Sequence, residues 1–214
     1  MRRPSRNTRP HLLTALMTAC AAALGTPAHA HHPMGGALPS THLEGLLSGF
    51  GHPVIGPDHL AFIVAIGIAA ALVHSGVALI GAFIAASTTG VLIHVGRLDV
   101  PLVEPLIASS VIAAGLAIAV GRGLGQPGWL ALAAGAGLFH GYAFGEAVIG
   151  AEQTVVGAYL VGLAIMSAAV AGGVMLVSGK MLPSGNLLDA RRRVAGGALS
   201  VVGLGLLALS LVGV

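Results

Sequence analysis

Six apolar stretches, each long enough to cross about 30 Å of hydrocarbon, occupy most of this 214-residue chain. They fall at residues 53–73, 75–96, 101–120, 127–149, 154–178 and 193–214. In lipid a backbone must satisfy its own N–H and C=O groups, so runs of this length are constrained to be helices. The chain is 56% hydrophobic and only 8% charged, with a mean hydropathy of +0.93. A soluble domain carries roughly 25% charged residues, so this chain lacks the charges to cover a water-facing surface. Its 33 glycines suit membrane helices, which use small residues for close packing. The expected fold class is all-α: a polytopic membrane helix bundle of about six transmembrane helices after a cleaved signal peptide, with the lipid bilayer as its solvent.

Residues 1–30 read as that signal peptide. Arg2, Arg3, Arg6 and Arg9 form a positive n-region, residues 12–24 an apolar h-region, and Ala28-His29-Ala30 an A-x-A cleavage site. Residues 31–214 then form a single transmembrane domain. The sequence pI of about 9.8 does not indicate a basic binding surface. Cleavage removes four of ten basic residues and none of the seven acids, leaving the mature chain at −1. Nucleic acid is therefore not an expected partner. Cys20 leaves with the signal, so no disulfide or thiolate site is expected.

A cleaved signal places the mature N-terminus outside, and the loops after the first, third and fifth spans then face the cytoplasm. Those loops hold Arg122, Lys180, Arg191, Arg192 and Arg193, whereas the outer loops hold only Arg97. The bias obeys the positive-inside rule and fits a bacterial inner membrane with a periplasmic N-terminus. On this orientation most intramembrane ionisable groups gather in the outer leaflet. At about 1.5 Å per residue, His59 and His140 share a depth about 10 Å below the outer surface.

His52-Pro53-Val54-Ile55-Gly56-Pro57-Asp58-His59 opens the first span. Imidazoles and a carboxylate are costly at membrane depth and mark functional sites there by default. Together they form the ligand set of first-row divalent metals such as nickel, cobalt and zinc. His52 and His59, seven apart, are expected on one helical face two turns from each other. Pro53 and Pro57 make the segment irregular, and irregular backbone at membrane depth is tolerated where it lines a polar cavity.

These residues carry a family resemblance. The segment resembles the H-P-x-x-G-x-D-H motif of the HupE/UreJ family of nickel/cobalt permeases, matching at every defined position. Phe139-His140-Gly141-Tyr142-Ala143 resembles the start of that family's F-H-G-x-A-H-G-x-E motif. The resemblance covers essentially the whole mature chain, including Pro101, Val103 and Glu104 at the third span. The second motif departs from the pattern: Phe144 stands where the family has a second histidine, and Ala147 where it has the closing glutamate, with Glu146 one residue early. At about 100° per residue that offset moves the carboxylate to another face of a regular helix. Glu146 can substitute only if the helix ends or unwinds near Gly145.

The resemblance implies a secondary permease, not an enzyme, that moves Ni2+ or Co2+ as substrate and has no permanent cofactor. His52, His59 and His140 are the expected nitrogen ligands, and Asp58 is the charge-neutralising carboxylate. Glu104 is an entry or orienting carboxylate, with Glu146 as a further candidate. After cleavage the chain would begin His31-His32, whose amino group and imidazoles form a second metal-capturing candidate. A homo-oligomer is compatible with this reading.

Ordinary explanations cover other residues. His74 and His94 read as helix-end or interface residues. Glu104, in the first turn after Pro101, also suits the helix macrodipole. Gly137, Gly141 and Gly145 recur as a small-residue packing face, and Tyr142 and Phe144 read as packing aromatics. Two other function classes stay open: an intramembrane zinc-dependent hydrolase, and a non-conducting membrane metal-binding accessory protein. No nucleophile segment of the Gly-x-Ser-x-Gly kind and no phosphate-cradling loop is present.

Overall fold

The structure, a computed structural model, describes residues 37–121, 124–181 and 186–212. The signal-peptide expectation and the candidates His31 and His32 lie outside the described residues. Among the described residues all regular structure is helical. In chain order the helices are α1 (His42–Ile55), α2 (Pro57–Leu72), α3 (Gly76–Val95), α4 (Val103–Val120), α5 (Gly125–Gly145), α6 (Gln153–Met181) and α7 (Asn186–Val212). A 3-10 turn, Glu146–Val148, follows α5.

The protein is a helical membrane protein. Helices α3, α4 and α6, and residues Asp189–Val212 of α7, are each long and apolar enough to cross a membrane. Helices α1 and α2 qualify together as one broken span. Helix α5 stands where the fourth span was expected, and its 21 residues reach about 31 Å at 1.5 Å per residue. Its Gly, Gln, His and Tyr content keeps it below the hydropathy of the others. The first span, expected over 53–73 with irregular backbone at its start, differs in its bounds and carries a sharp bend. The helix starts earlier, at His42, breaks at Gly56 and bends by 78°.

Local chemistry explains where α1 and α2 begin and end. Thr41 caps α1, its hydroxyl accepting from the Glu44 N–H at 3.2 Å, while Glu44 accepts from the N–H groups of Ser40 and Thr41. This is a capping box, which satisfies otherwise orphaned donors. Helix α2 begins with Pro57 at its first position, where a missing N–H costs nothing. Proline disfavours helical backbone in the residue before it, and Gly56 is accordingly extended at φ −75°, ψ 112°.

Helix α2 runs through the middle of the bundle, packed against α3, α4 and α6, with Phe62, Ile63, Ala65, Ile66 and Ala69 fully buried. The other helices pair around it: α3 with α5, α4 with α7, and α1 with α6. In each pair backbones meet through glycine. A Cβ on Gly141 would lie 2.1 Å from the Ser87 carbonyl oxygen, one on Gly49 2.1 Å from that of Tyr159, and one on Gly196 2.3 Å from that of Gly115. The packing face expected at Gly137, Gly141 and Gly145 is present, directed at α3.

Polar side chains tie the helix ends. Gln126 bonds both the N–H and the carbonyl of Ser75. Arg191 donates to the Met181 carbonyl at the end of α6. Arg192 pairs with Asp189 and donates to the carbonyl of Gly121, the residue that closes α4. Cations at helix C-termini complement the macrodipole.

One helix offers a matched test of the glycine contacts. Gly141→Ala must push α3 and α5 apart and is expected to lower thermal stability by the equivalent of about 1–3 kcal/mol, the usual cost of overpacking. Gly135→Ala has nothing within 4 Å of the new methyl. It is expected to hold or slightly raise the melting temperature, since alanine favours helix over glycine by about 1 kcal/mol. Thermal melts of the two variants in one detergent compare them directly.

Candidate metal centre

The break at Gly56 assembles the site. His52 ends α1, and Asp58 and His59 begin α2, so the two histidines sit on different helices. This corrects the expectation of a shared helical face. The bend does what a straight helix would not: it sets the rings edge to face with centroids 5.7 Å apart. Both rings are buried, at 5% and 4% exposure. Asp58 is half-buried, and its Oδ1 accepts the His59 backbone N–H at 2.8 Å, satisfying a first-turn donor of α2.

Gly56 belongs to the site through space, since its backbone angles are open to any residue. A Cβ there would lie 2.7 Å from His59 Cδ2 and 3.0 Å from Asp58 Oδ1. The absence of a side chain lets both groups close over the break.

His140, from the middle of the bundle on α5, is completely enclosed. Its Nδ1 meets His59 Nδ1 at 2.9 Å and its Nε2 meets the Ser110 hydroxyl of α4 at 3.0 Å. The common depth expected for His59 and His140 is therefore realised as contact. His52 Nδ1 meets the Tyr159 hydroxyl of α6 at 2.8 Å, and Tyr159 donates to the Phe144 carbonyl at 2.7 Å.

The rings lie where two apolar clusters meet. Phe62 stacks on His140 at 4.5 Å and Phe83 meets it edge-on; both belong to the larger cluster. Phe144 and Tyr159 belong to the smaller one. Phe144 touches His59 at a centroid distance of 4.1 Å and His52 at 5.1 Å. It is more than a remote packing aromatic, because it forms an apolar wall shared by both histidines.

The other sequence candidates fall elsewhere. Glu104 is exposed in the first turn of α4, and Glu146 is exposed at the start of the 3-10 turn. Helix α5 does end at Gly145, as a role for Glu146 requires, but the carboxylate is not among the buried groups. His94 is a helix-end residue that stacks on Tyr142 and donates from Nδ1 to its carbonyl at 2.6 Å. His74 is exposed beyond the end of α2. Among the described residues, no three His, Cys, Asp or Glu side chains form a ready-made ligand set for an ion.

Sequence reasoning missed Ser110 and Tyr159. The available signal was polarity within apolar helices: a buried tyrosine hydroxyl nearly always finds a hydrogen-bond partner.

With this geometry in view, the comparisons decide the family. The HupE / UreJ protein family profile matches residues 17–206. The chain belongs to the HupE/UreJ family. It is similar to Protein HupE of Rhizobium leguminosarum bv. viciae, with 29% identity over 193 residues that cover 89% of this chain and 96% of the relative. No solved structure matches the chain. Membership in the family places the chain among transport and accessory membrane proteins and not among enzymes.

The space at Gly56 is directly testable. Gly56→Ala is expected to keep full helical content by circular dichroism while shifting the His59 ring resonances in nuclear magnetic resonance spectra, because the new methyl must displace His59 and Asp58.

Proposed function

We propose that this chain is a secondary permease that carries a divalent transition-metal ion, nickel or cobalt, across the inner membrane by way of His52, Asp58 and His59. The observation that carries the reading is the broken helix at Gly56, which gathers two buried imidazoles and a carboxylate inside a bundle of membrane-spanning helices. Discontinuous helices with polar groups at the break are the pattern of transporter binding sites. The ring spacing is close to that of a shared ion. With metal–nitrogen bonds of about 2.1 Å, two imidazoles on one ion place their centroids roughly 4.5–5.5 Å apart, so a small approach of the rings from 5.7 Å suffices.

Each group then has a role. His52 and His59 supply nitrogen, and Asp58 offsets the charge of the ion. His140 stands behind His59 and orients it instead of adding a ligand of its own. The Phe144 wall leaves the coordination shell short of protein groups, so the ion keeps water ligands. A short shell suits transport, because a conducted ion must leave as readily as it enters. Glu104 and Glu146, both exposed, act as attracting carboxylates, and His31 and His32 collect ions on the periplasmic side, where the mature N-terminus lies.

Radiolabelled nickel and cobalt uptake into proteoliposomes tests the reading. Wild type is expected to show saturable uptake of at least one of the two metals, and Asp58→Ala and His59→Ala are expected to abolish it at matched incorporation. Binding without flux would instead assign a non-conducting accessory role.

A pH series gives an independent check. Imidazole must lose its proton to ligate a metal, so protons compete with the ion and uptake falls as the pH drops. Initial rates at pH 7.5 are expected to exceed those at pH 5 several-fold. Equal rates would exclude histidine ligation in the rate-determining site.

A further inference from the structure

Two short hydrogen-bond chains end on the histidines at the break, and both begin on a backbone carbonyl. Their direction follows from counting protons. A carbonyl only accepts and a hydroxyl has one hydrogen to give. Tyr159 gives its hydrogen to the Phe144 carbonyl at 2.7 Å, so in its 2.8 Å contact with His52 Nδ1 the phenol oxygen accepts and Nδ1 carries the hydrogen. Ser110 gives its hydrogen to the Ile107 carbonyl at 2.6 Å. In its 3.0 Å contact with His140 Nε2 the serine oxygen therefore accepts, and His140 is protonated on Nε2. A neutral imidazole holds one N–H, which makes His140 Nδ1 an acceptor. The 2.9 Å contact between His140 Nδ1 and His59 Nδ1 then requires His59 to donate.

The two chains thus impose one outcome by different routes. As neutral rings, His52 and His59 carry hydrogen on Nδ1 and their lone pair on Nε2, while His140 holds the opposite tautomer. Nothing local in the two histidines demands this, because neutral imidazole in water favours hydrogen on Nε2. The demand comes from two hydroxyls, each oriented by a carbonyl. Ile107 lies one turn before Ser110 on α4. Phe144 lies at the end of α5, where carbonyls lose their helical partners.

We propose that Ser110 and Tyr159 are positioning residues of the ion site. Tyr159 directly, and Ser110 through His140, hold His52 and His59 in the Nδ1–H tautomer, so that each offers Nε2 to the ion. Outer partners of this kind fix ring orientation and ligand basicity in metal sites. The part concerning the ion rests on the transport reading above; the part concerning tautomers stands on the hydrogen bonds alone.

The test is nuclear magnetic resonance of the full chain, labelled with 13C and 15N in histidine, in nanodiscs at pH 8 without metal, followed by Ni2+ titration. The expected wild-type result is Nδ1–H at His52 and His59 and Nε2–H at His140. Tyr159→Phe is expected to shift His52 alone towards Nε2–H. Ser110→Ala is expected to release His140 and His59 together, and Ser110→Thr to restore them because it keeps the hydroxyl. The dissociation constant for Ni2+ should rise roughly 10- to 100-fold in the first two variants and recover with threonine. Wild-type Nε2–H at His52 or His59, or tautomers indifferent to both hydroxyl deletions, would overturn the assignment. If the tautomers follow the hydroxyls but Ni2+ and Co2+ neither bind nor move, the positioning chains stand and the transport reading falls.

Discussion

Every peptide group within hydrocarbon needs a hydrogen-bond partner, and the architecture follows from how this chain meets that demand at the one place, among the described residues, where a span is interrupted. The interruption at Gly56 leaves few loose ends. The Gly56 N–H reaches back to the His52 carbonyl and the Leu60 N–H reaches the Gly56 carbonyl. Pro57 has no N–H to satisfy, and the His59 N–H is taken by Asp58. A 78° bend therefore fits inside the bundle with the N–H groups of Gly56, His59 and Leu60 all paired. The same residues that make the bend tolerable also carry the ionisable chemistry, so the break and the site are a single construction.

The surroundings make that chemistry consequential. Phe62 and Phe83 enclose one side of the histidine group, and Phe144 and Tyr159 the other. In so apolar an enclosure an unsatisfied polar group is expensive. The structure answers with a directed path from each ring to a carbonyl. Ser110 and Tyr159 matter because the hydrogen on each hydroxyl is already committed elsewhere, which turns a flexible donor-acceptor into a one-way acceptor.

Much of this was legible in residue order. Long apolar runs located α3, α4, α6 and α7 well, because span length and hydropathy are set by the bilayer and not by neighbours. The motif at His52–His59 singled out the segment where the span breaks, and counting residues along the spans put His59 and His140, whose rings meet, at one depth. The bend was only half legible. Pro53 and Pro57 announced irregular backbone, but a local signal cannot give an angle, and without the angle the spacing of seven suggested a shared face. The partners of the rings were not legible, since a serine in an apolar helix and a tyrosine in another gain meaning only when packing brings them to a histidine. The exposure of Glu104 and Glu146 was not legible for the converse reason: acidity near a motif says nothing about which way the side chain is packed.

The glycine seams carry a consequence for how such a chain can diverge. Where helices meet backbone to backbone, the permitted alphabet shrinks to the smallest residue, and one methyl would part them. The outward positions, such as Val77, Leu116, Val161 and Leu204, answer only to solubility in lipid and can trade one apolar side chain for another. A sequence under these two regimes drifts quickly over most of its length and hardly at all along thin lines of contact. Kinship at 29% identity over 89% of this chain is a degree of difference that such a bundle can absorb.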